Sequence, residues 1–234
     1  MKFIKSLFKF VFGTILLIVV LVGVAFYFIS SPKKTIDITW TKDDFNTYVN
    51  KGGITFDDSH ASVEDIFANN LLTEGITNVN ATFTNEEASA IANMSSNGNS
   101  IIKNVKIHCL GNDELEASAV IGDITPLINK FPALKKYESA LKLIENKPIY
   151  AHSTLFFNKS TGLFDGVTKE LYIGKVKIPT DKANDNLKYG GSAINKALKQ
   201  LKGFSVKKFK VTSEGFKFDG TIPKKIESAG SLLN

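Results

Sequence analysis

The chain has 234 residues with 29 basic and 23 acidic side chains and a net charge of +6, yet residues 1–34 hold five lysines and no acid, so the rest carries only +1. That balance, and the absence of any arginine, removes the electrostatic case for a nucleic-acid partner and leaves no bidentate guanidinium for phosphate or guanine. A single cysteine, Cys109, excludes an internal disulfide, so the fold rests on core packing, for which two hundred residues suffice.

A basic head, residues 1–9, precedes the stretch from Phe10 to Ile29, twenty residues without charge or proline. A helix of that length spans about 30 Å, the hydrocarbon thickness of a bilayer. Lys2, Lys5 and Lys9 favour a cytoplasmic N-terminus. A cleaved signal peptide is the rival reading, but the run is long and ends Ala25-Phe26-Tyr27-Phe28-Ile29, without a small-x-small site. The expected organisation is a single-pass signal anchor at 10–30, a linker at 31–35, an extracytoplasmic domain at 36–227 and a frayed tail at 228–234. The composition, rich in lysine, asparagine and isoleucine, suits an AT-rich genome such as that of a low-GC Gram-positive bacterium.

Ile36, Ile38 and Trp40 alternate with polar residues and predict a strand; Thr41 with Asp44 predicts a capped helix that Gly52 can end. A helix is expected from Ser62 to Leu72. The first unit returns at Val79, Ala81 and Phe83, followed by a capping box of Thr84 and Glu87. A hairpin follows, with Val105, Ile107 and Cys109 facing one way, a turn at Gly111-Asn112-Asp113, and Leu115, Ala117 and Ala119 returning.

Thr125-Pro126 and Phe131-Pro132 open two helical pieces, the longer carrying Leu134, Tyr137, Leu141 and Ile144 on one face as far as Lys147-Pro148. Strands are expected near 149–157, 163–167 and 171–178. A last helix, capped by Ser192 and carrying Ile194, Ala197, Leu198 and Leu201, stops at Gly203, and a hairpin follows around Ser213-Glu214-Gly215. The whole predicts an α+β ectodomain of amphipathic helices on curled antiparallel sheet, with two helix-plus-hairpin halves as one way to divide it.

Catalytic chemistry finds little material. His60, His108 and His152 lack helical pairing, the two Ser-x-x-Lys matches (Ser139 with Lys142, Ser205 with Lys208) lack companion boxes, and no phosphate-cradling glycine loop or metal-type spacing occurs. The expectation is a non-enzyme with no cofactor or metal. An envelope hydrolase would need a cleft where a histidine or Ser-Lys pair converges.

Gly162-Leu-Phe-Asp-Gly166, Leu171-Tyr-Ile-Gly-Lys-Val-Lys-Ile-Pro179, the helix with Ile194-Asn195 and the closing hairpin to Ile222-Pro223 resemble small membrane-anchored bacterial proteins of the YpmS type. Thr41 to Asn50 resembles their first ectodomain helix. More distantly the chain is similar to tubular lipid-binding (TULIP) domains, in which a curled sheet wraps a helix and leaves an apolar groove. The segments 59–75 and 126–145 depart from that pattern. The resemblance implies extracytoplasmic lipid binding near the membrane and supplies no catalytic residue.

The candidate groove residues are Leu141, Ile144, Leu198, Leu201, Phe209 and Phe218, which fit a closed core equally well on periodicity. The candidate contacts to an anionic surface are Lys199, Lys202, Lys207, Lys208 and Lys210, from a stretch with nine lysines and two acids. A protein-interaction or scaffolding module with an envelope protein partner is the alternative to lipid binding.

Overall fold

The computed structural model describes residues 29–55, 71–94, 102–130, 132–181, 184, 195, 198–199 and 201–228. In chain order these form α1 (Lys42–Gly52), β1 (Leu71–Glu74), β2 (Thr77–Phe83), α2 (Asn85–Met94), β3 (Ile102–Gly111), β4 (Glu114–Ile121) and α3 (Thr125–Lys130). A 3-10 helix (Pro132–Tyr137) leads into α4 (Glu138–Lys142), then β5 (Pro148–Thr154), β6 (Phe156–Asn158), β7 (Leu163–Asp165), β8 (Thr168–Ile173) and β9 (Val176–Lys177). The chain closes with β10 (Ser205–Thr212), β11 (Gly215–Ile222) and β12 (Lys225–Ser228).

The fold is α+β with antiparallel sheets. A five-stranded sheet runs β3-β4-β5-β8-β9, a three-stranded sheet β10-β11-β2, and β6-β7 and β1-β12 form two-stranded ladders. The two larger sheets meet at the β3–β4 turn, where Asp113 takes a positive φ of 62°, tolerable for a short polar side chain. Its N–H donates to Val211 O (3.2 Å), its carboxylate accepts from Val211 N–H (3.1 Å), and its carbonyl accepts from Leu155 N–H (2.8 Å). One residue thereby joins the β3–β4 turn, the end of β10 and the β5–β6 link.

The outer edge of β3 is sealed by side chains of α2. Cys109 N–H donates to Asn85 Oδ1, Ile107 N–H to Ser89 Oγ and Val105 N–H to Asn93 Oδ1, each at 2.9 Å, and Asn93 Nδ2 donates back to Val105 O at 2.7 Å. Four helical residues rise about 6 Å and two strand residues about 6.7 Å, so helix positions 85, 89 and 93 keep step with strand positions 109, 107 and 105. An otherwise open edge is closed without a further strand.

Both capping boxes form. Thr41 and Asp44 bond reciprocally, and Thr84 N–H donates to Glu87 Oε2 (3.1 Å) while Glu87 N–H donates to Thr84 Oγ1 (3.3 Å). Gly53 at φ 61°, one residue beyond the expected Gly52, ends α1. The buried Glu87 also binds Lys51 at 2.6 Å, tying α1 to α2.

Several expectations are corrected. Residues 34–40 make no ladder. They cross the face of the five-stranded sheet as an extended strap, with Ile36 and Ile38 buried against Tyr150 and Tyr172; alternation reports a buried face, and here that face is side chains instead of a neighbouring backbone. The single helix expected to Lys147 is divided into the 3-10 turn and α4, and α4 stops at Lys142 because Leu143–Asn146 turn back to give Asn146 N–H to Ile121 O (2.7 Å). Tyr137, expected on its buried face, is exposed. Leu71 and Leu72 start β1 instead of ending a helix, and the rest of that expected helix, 62–70, lies outside the described residues, as do 1–28 and 229–234. Ser228, assigned to a frayed tail, pairs with Leu71. Both hairpins of the expected halves form, but α2 grips the strand after it whereas Asn195 grips β7, before it.

Candidate functional site

β6 and β7 form a short hairpin that leaves the five-stranded sheet beyond Thr154 and lies against β10. Its aromatic pair, Phe157 and Phe164, stands in register and in edge contact (5.3 Å between ring centres), and Phe164 meets Phe209 edge-on at 4.9 Å. Phe209 stacks on Phe216, and Phe204 on Phe218, each at 6.1 Å. The arrangement is a row of rings running from the hairpin onto β10 and β11.

Over this row opens a cavity of about 250 Å³, lined chiefly by Phe157, Leu163, Phe164, Leu198, Phe204 and Val206, with Asn195, Lys199 and Ser205 as polar neighbours. The amide of Asn195 fixes its wall: Phe164 N–H donates to Oδ1 (3.0 Å) and Nδ2 donates to Phe164 O (2.8 Å). Asn184 treats Thr168 in the same way, at 2.9 and 3.2 Å. A side-chain amide in this geometry bonds the open backbone N–H and C=O of a strand residue as a neighbouring strand would, and so fixes the hairpin at Phe164.

Of the expected groove residues, Leu198 lines the cavity, Leu201 sits one turn on, and Phe209 and Phe218 lie beneath it through Phe164 and Phe204. Leu141 and Ile144 are elsewhere: with Leu134 they pack on Ile121, Ile124 and Ile128, a closed cluster at the other end of the five-stranded sheet. Phe157, Phe164, Phe204 and Asn195 were not among the expected residues. The signal for the first two is a pair of aromatics, each two residues from the turn at 159–162.

Lys199, Lys202, Lys207, Lys208 and Lys210 are all exposed. Lys207, Lys208 and Lys210 project from β10, whose Thr212 end meets the Asp113 turn, so they belong to the half of the molecule away from Ile102, Pro148 and Ser30.

The other polar concentration lies under the strap. Glu116, 5% exposed, receives Lys34 Nζ on both oxygens (2.5 and 2.7 Å) and the Tyr150 hydroxyl (2.5 Å), with His108 Nδ1 at 3.6 Å. Burial pushes its pKa up, but the hydrogen bonds from Lys34 and Tyr150 outweigh that and the net shift is downward. The Tyr150 hydroxyl is raised by burial and by that same carboxylate. Beside it, Glu114 is held below the usual carboxylate range by hydrogen bonds from Lys169 and His152. These are donors closed on acceptors, and among the described residues no group of three histidines, cysteines or acids is placed to hold a metal ion. Burial pushes the Cys109 thiol up to about 12, which disfavours the thiolate a nucleophile needs.

No protein-family model matches the chain, and neither the curated proteins nor the solved structures contain a match.

Proposed function

We propose that the chain is a single-pass envelope protein, anchored by residues 10–30 with its N-terminus in the cytoplasm, whose extracytoplasmic α+β domain holds a lipid-like apolar ligand without catalysing a reaction on it. The observation that carries this reading is the open cavity of about 250 Å³ in which phenylalanines and leucines share the wall about equally with polar groups and which Asn195 props. Small-molecule sites usually start near 300 Å³, so the cavity suits part of a hydrocarbon chain, the remainder lying along its open side. About six buried methylenes at ~0.8 kcal/mol each contribute about 5 kcal/mol. The likeness to YpmS-type and TULIP domains supports the same class of ligand.

The test places a tryptophan in the wall, Phe204→Trp in a Trp40→Phe background, and titrates the full chain with a fatty acid bearing a nitroxide quencher. Saturable quenching that Leu198→Asp abolishes is expected. Quenching that is linear and unchanged by Leu198→Asp contradicts the reading.

A further inference from the structure

We infer that the end of the domain from which the anchor emerges is a docking face for an anionic bilayer surface, which seats the domain upright and keeps the aromatic cavity at the opposite end away from the headgroups. This rests on the anchored reading above. Phe10 to Ile29 carries no charge, and the residue just after it, Ser30, accepts a hydrogen bond from Lys147 Nζ at 3.0 Å, immediately before β5. The end of the apolar stretch is therefore fixed to one particular edge of the fold. Registers bring the ends of all five strands to that edge: Ile102 opposite Ile121, Val120 opposite Pro148, Ile149 opposite Ile173, and Ile173 opposite Val176.

At this edge the domain leaves large apolar side chains in water: Leu143 at 69% exposure, Tyr137 at 54%, Val176 at 42% and Ile102 at 37%. They cannot turn inward, because Leu134, Leu141 and Ile144 already fill the space against Ile121, Ile124 and Ile128. Lysine surrounds them. From Asp123 to Lys147 there are five lysines against three acids, and Lys175 and Lys177 flank Val176 in its hairpin. Tyr137 lies under the ammonium of Lys136 at 4.8 Å, and Lys33 covers Tyr172 at 5.0 Å. Exposed aliphatics with a tyrosine, rimmed by lysine and placed where an apolar helix enters, match the headgroup zone in both hydropathy and charge. A protein partner would fit the apolar residues but gives no reason for their position at the edge to which Lys147 ties Ser30.

From Pro148 at this edge, β5, Leu155 and β6 run to Asn158 beside the cavity, eleven residues whose ten steps make about 33 Å of extended chain. Lys207, Lys208 and Lys210 share that far half and would face away from the bilayer.

The test uses the full chain in nanodiscs of mixed phosphatidylcholine and phosphatidylglycerol, with one environment-sensitive label on an introduced cysteine; the native Cys109 is buried and does not compete. Probes stand at Leu143→Cys, Val176→Cys and Lys208→Cys, with Leu17→Cys reporting the anchor, and the quencher is a lipid carrying a nitroxide near its headgroup. The expected result is quenching at 143 and 176 several-fold above that at 208, falling toward it when phosphatidylglycerol is omitted or Lys135 and Lys136 become glutamate. A Leu17 probe protected in the bilayer with equal, weak quenching at 143, 176 and 208 overturns the docking face and leaves the anchor standing. A Leu17 probe exposed to water overturns both.

Discussion

The strap gives the sharpest quantitative expectation. Lys34→Met keeps the aliphatic stem and removes both bonds to Glu116, leaving a buried carboxylate with the Tyr150 hydroxyl as its remaining close donor. Hydrogen bonds to charged groups contribute about 1.5–3 kcal/mol. Breaking a fully buried pair costs about 3–5 kcal/mol. The Lys34 side chain is half in water, which screens the pair, so the expected loss is near the lower figure, about 2 kcal/mol. For a domain of this size that lowers Tm by about 4–8 °C. Trp40, the only tryptophan, closes the strap just before α1, so its fluorescence follows detachment directly. In a double-mutant cycle with Glu116→Gln the coupling should reach about 1–2 kcal/mol. Because the folded pKa of Glu116 lies below the ordinary glutamate value of 4.5, its contribution is complete above that value and is lost as pH falls through the lower folded pKa. Lys34→Met should move the loss to higher pH. A coupling within about 0.3 kcal/mol of zero, with an unchanged acid limb, would refute the claim that this pair holds the strap.

Three further outcomes are expected. Asn93→Ala should cost about 2 kcal/mol and speed exchange of the Val105 amide while Ile107, held by Ser89, stays protected; equal loss at both sites would mean α2 leaves β3 as a unit. Gly215→Ala meets a φ of 131° and a Cβ overlapping the Phe83 carbonyl, so a loss of at least about 2 kcal/mol is expected by denaturant unfolding, and an unchanged midpoint contradicts it. Cys109, buried and with its thiol pushed up to about 12, should resist a thiol reagent at pH 8 until the protein unfolds; prompt native labelling would contradict the burial.

The sequence was legible wherever the signal is local. The capping boxes at Thr41 and Thr84 and the turns at 111–113 and 213–215 each need only neighbours a few residues apart, and all form. What stayed hidden depends on distant partners. Ile36 and Ile38 have strand periodicity but are buried by Tyr150 and Tyr172, more than a hundred residues away. Leu141 and Leu198 carry the same kind of apolar stripe, yet one closes a core and the other lines the cavity, since periodicity states that a face is buried and not by what. The side chains that seal β3 had a usable signal: Asn85, Ser89 and Asn93 recur every four residues, a polar row on one helix face whose purpose appears only beside an open strand.

The most direct measurement of the central claim is covalent capture in membranes. A photoactivatable lipid, crosslinked to the full chain in its bilayer and mapped by peptide mass spectrometry, should mark two regions: the anchor at 10–30 and the cavity wall at 157–164 and 198–206. Leu198→Asp should erase the second and spare the first. Crosslinks confined to the anchor, identical in wild type and Leu198→Asp, would contradict lipid binding by the domain.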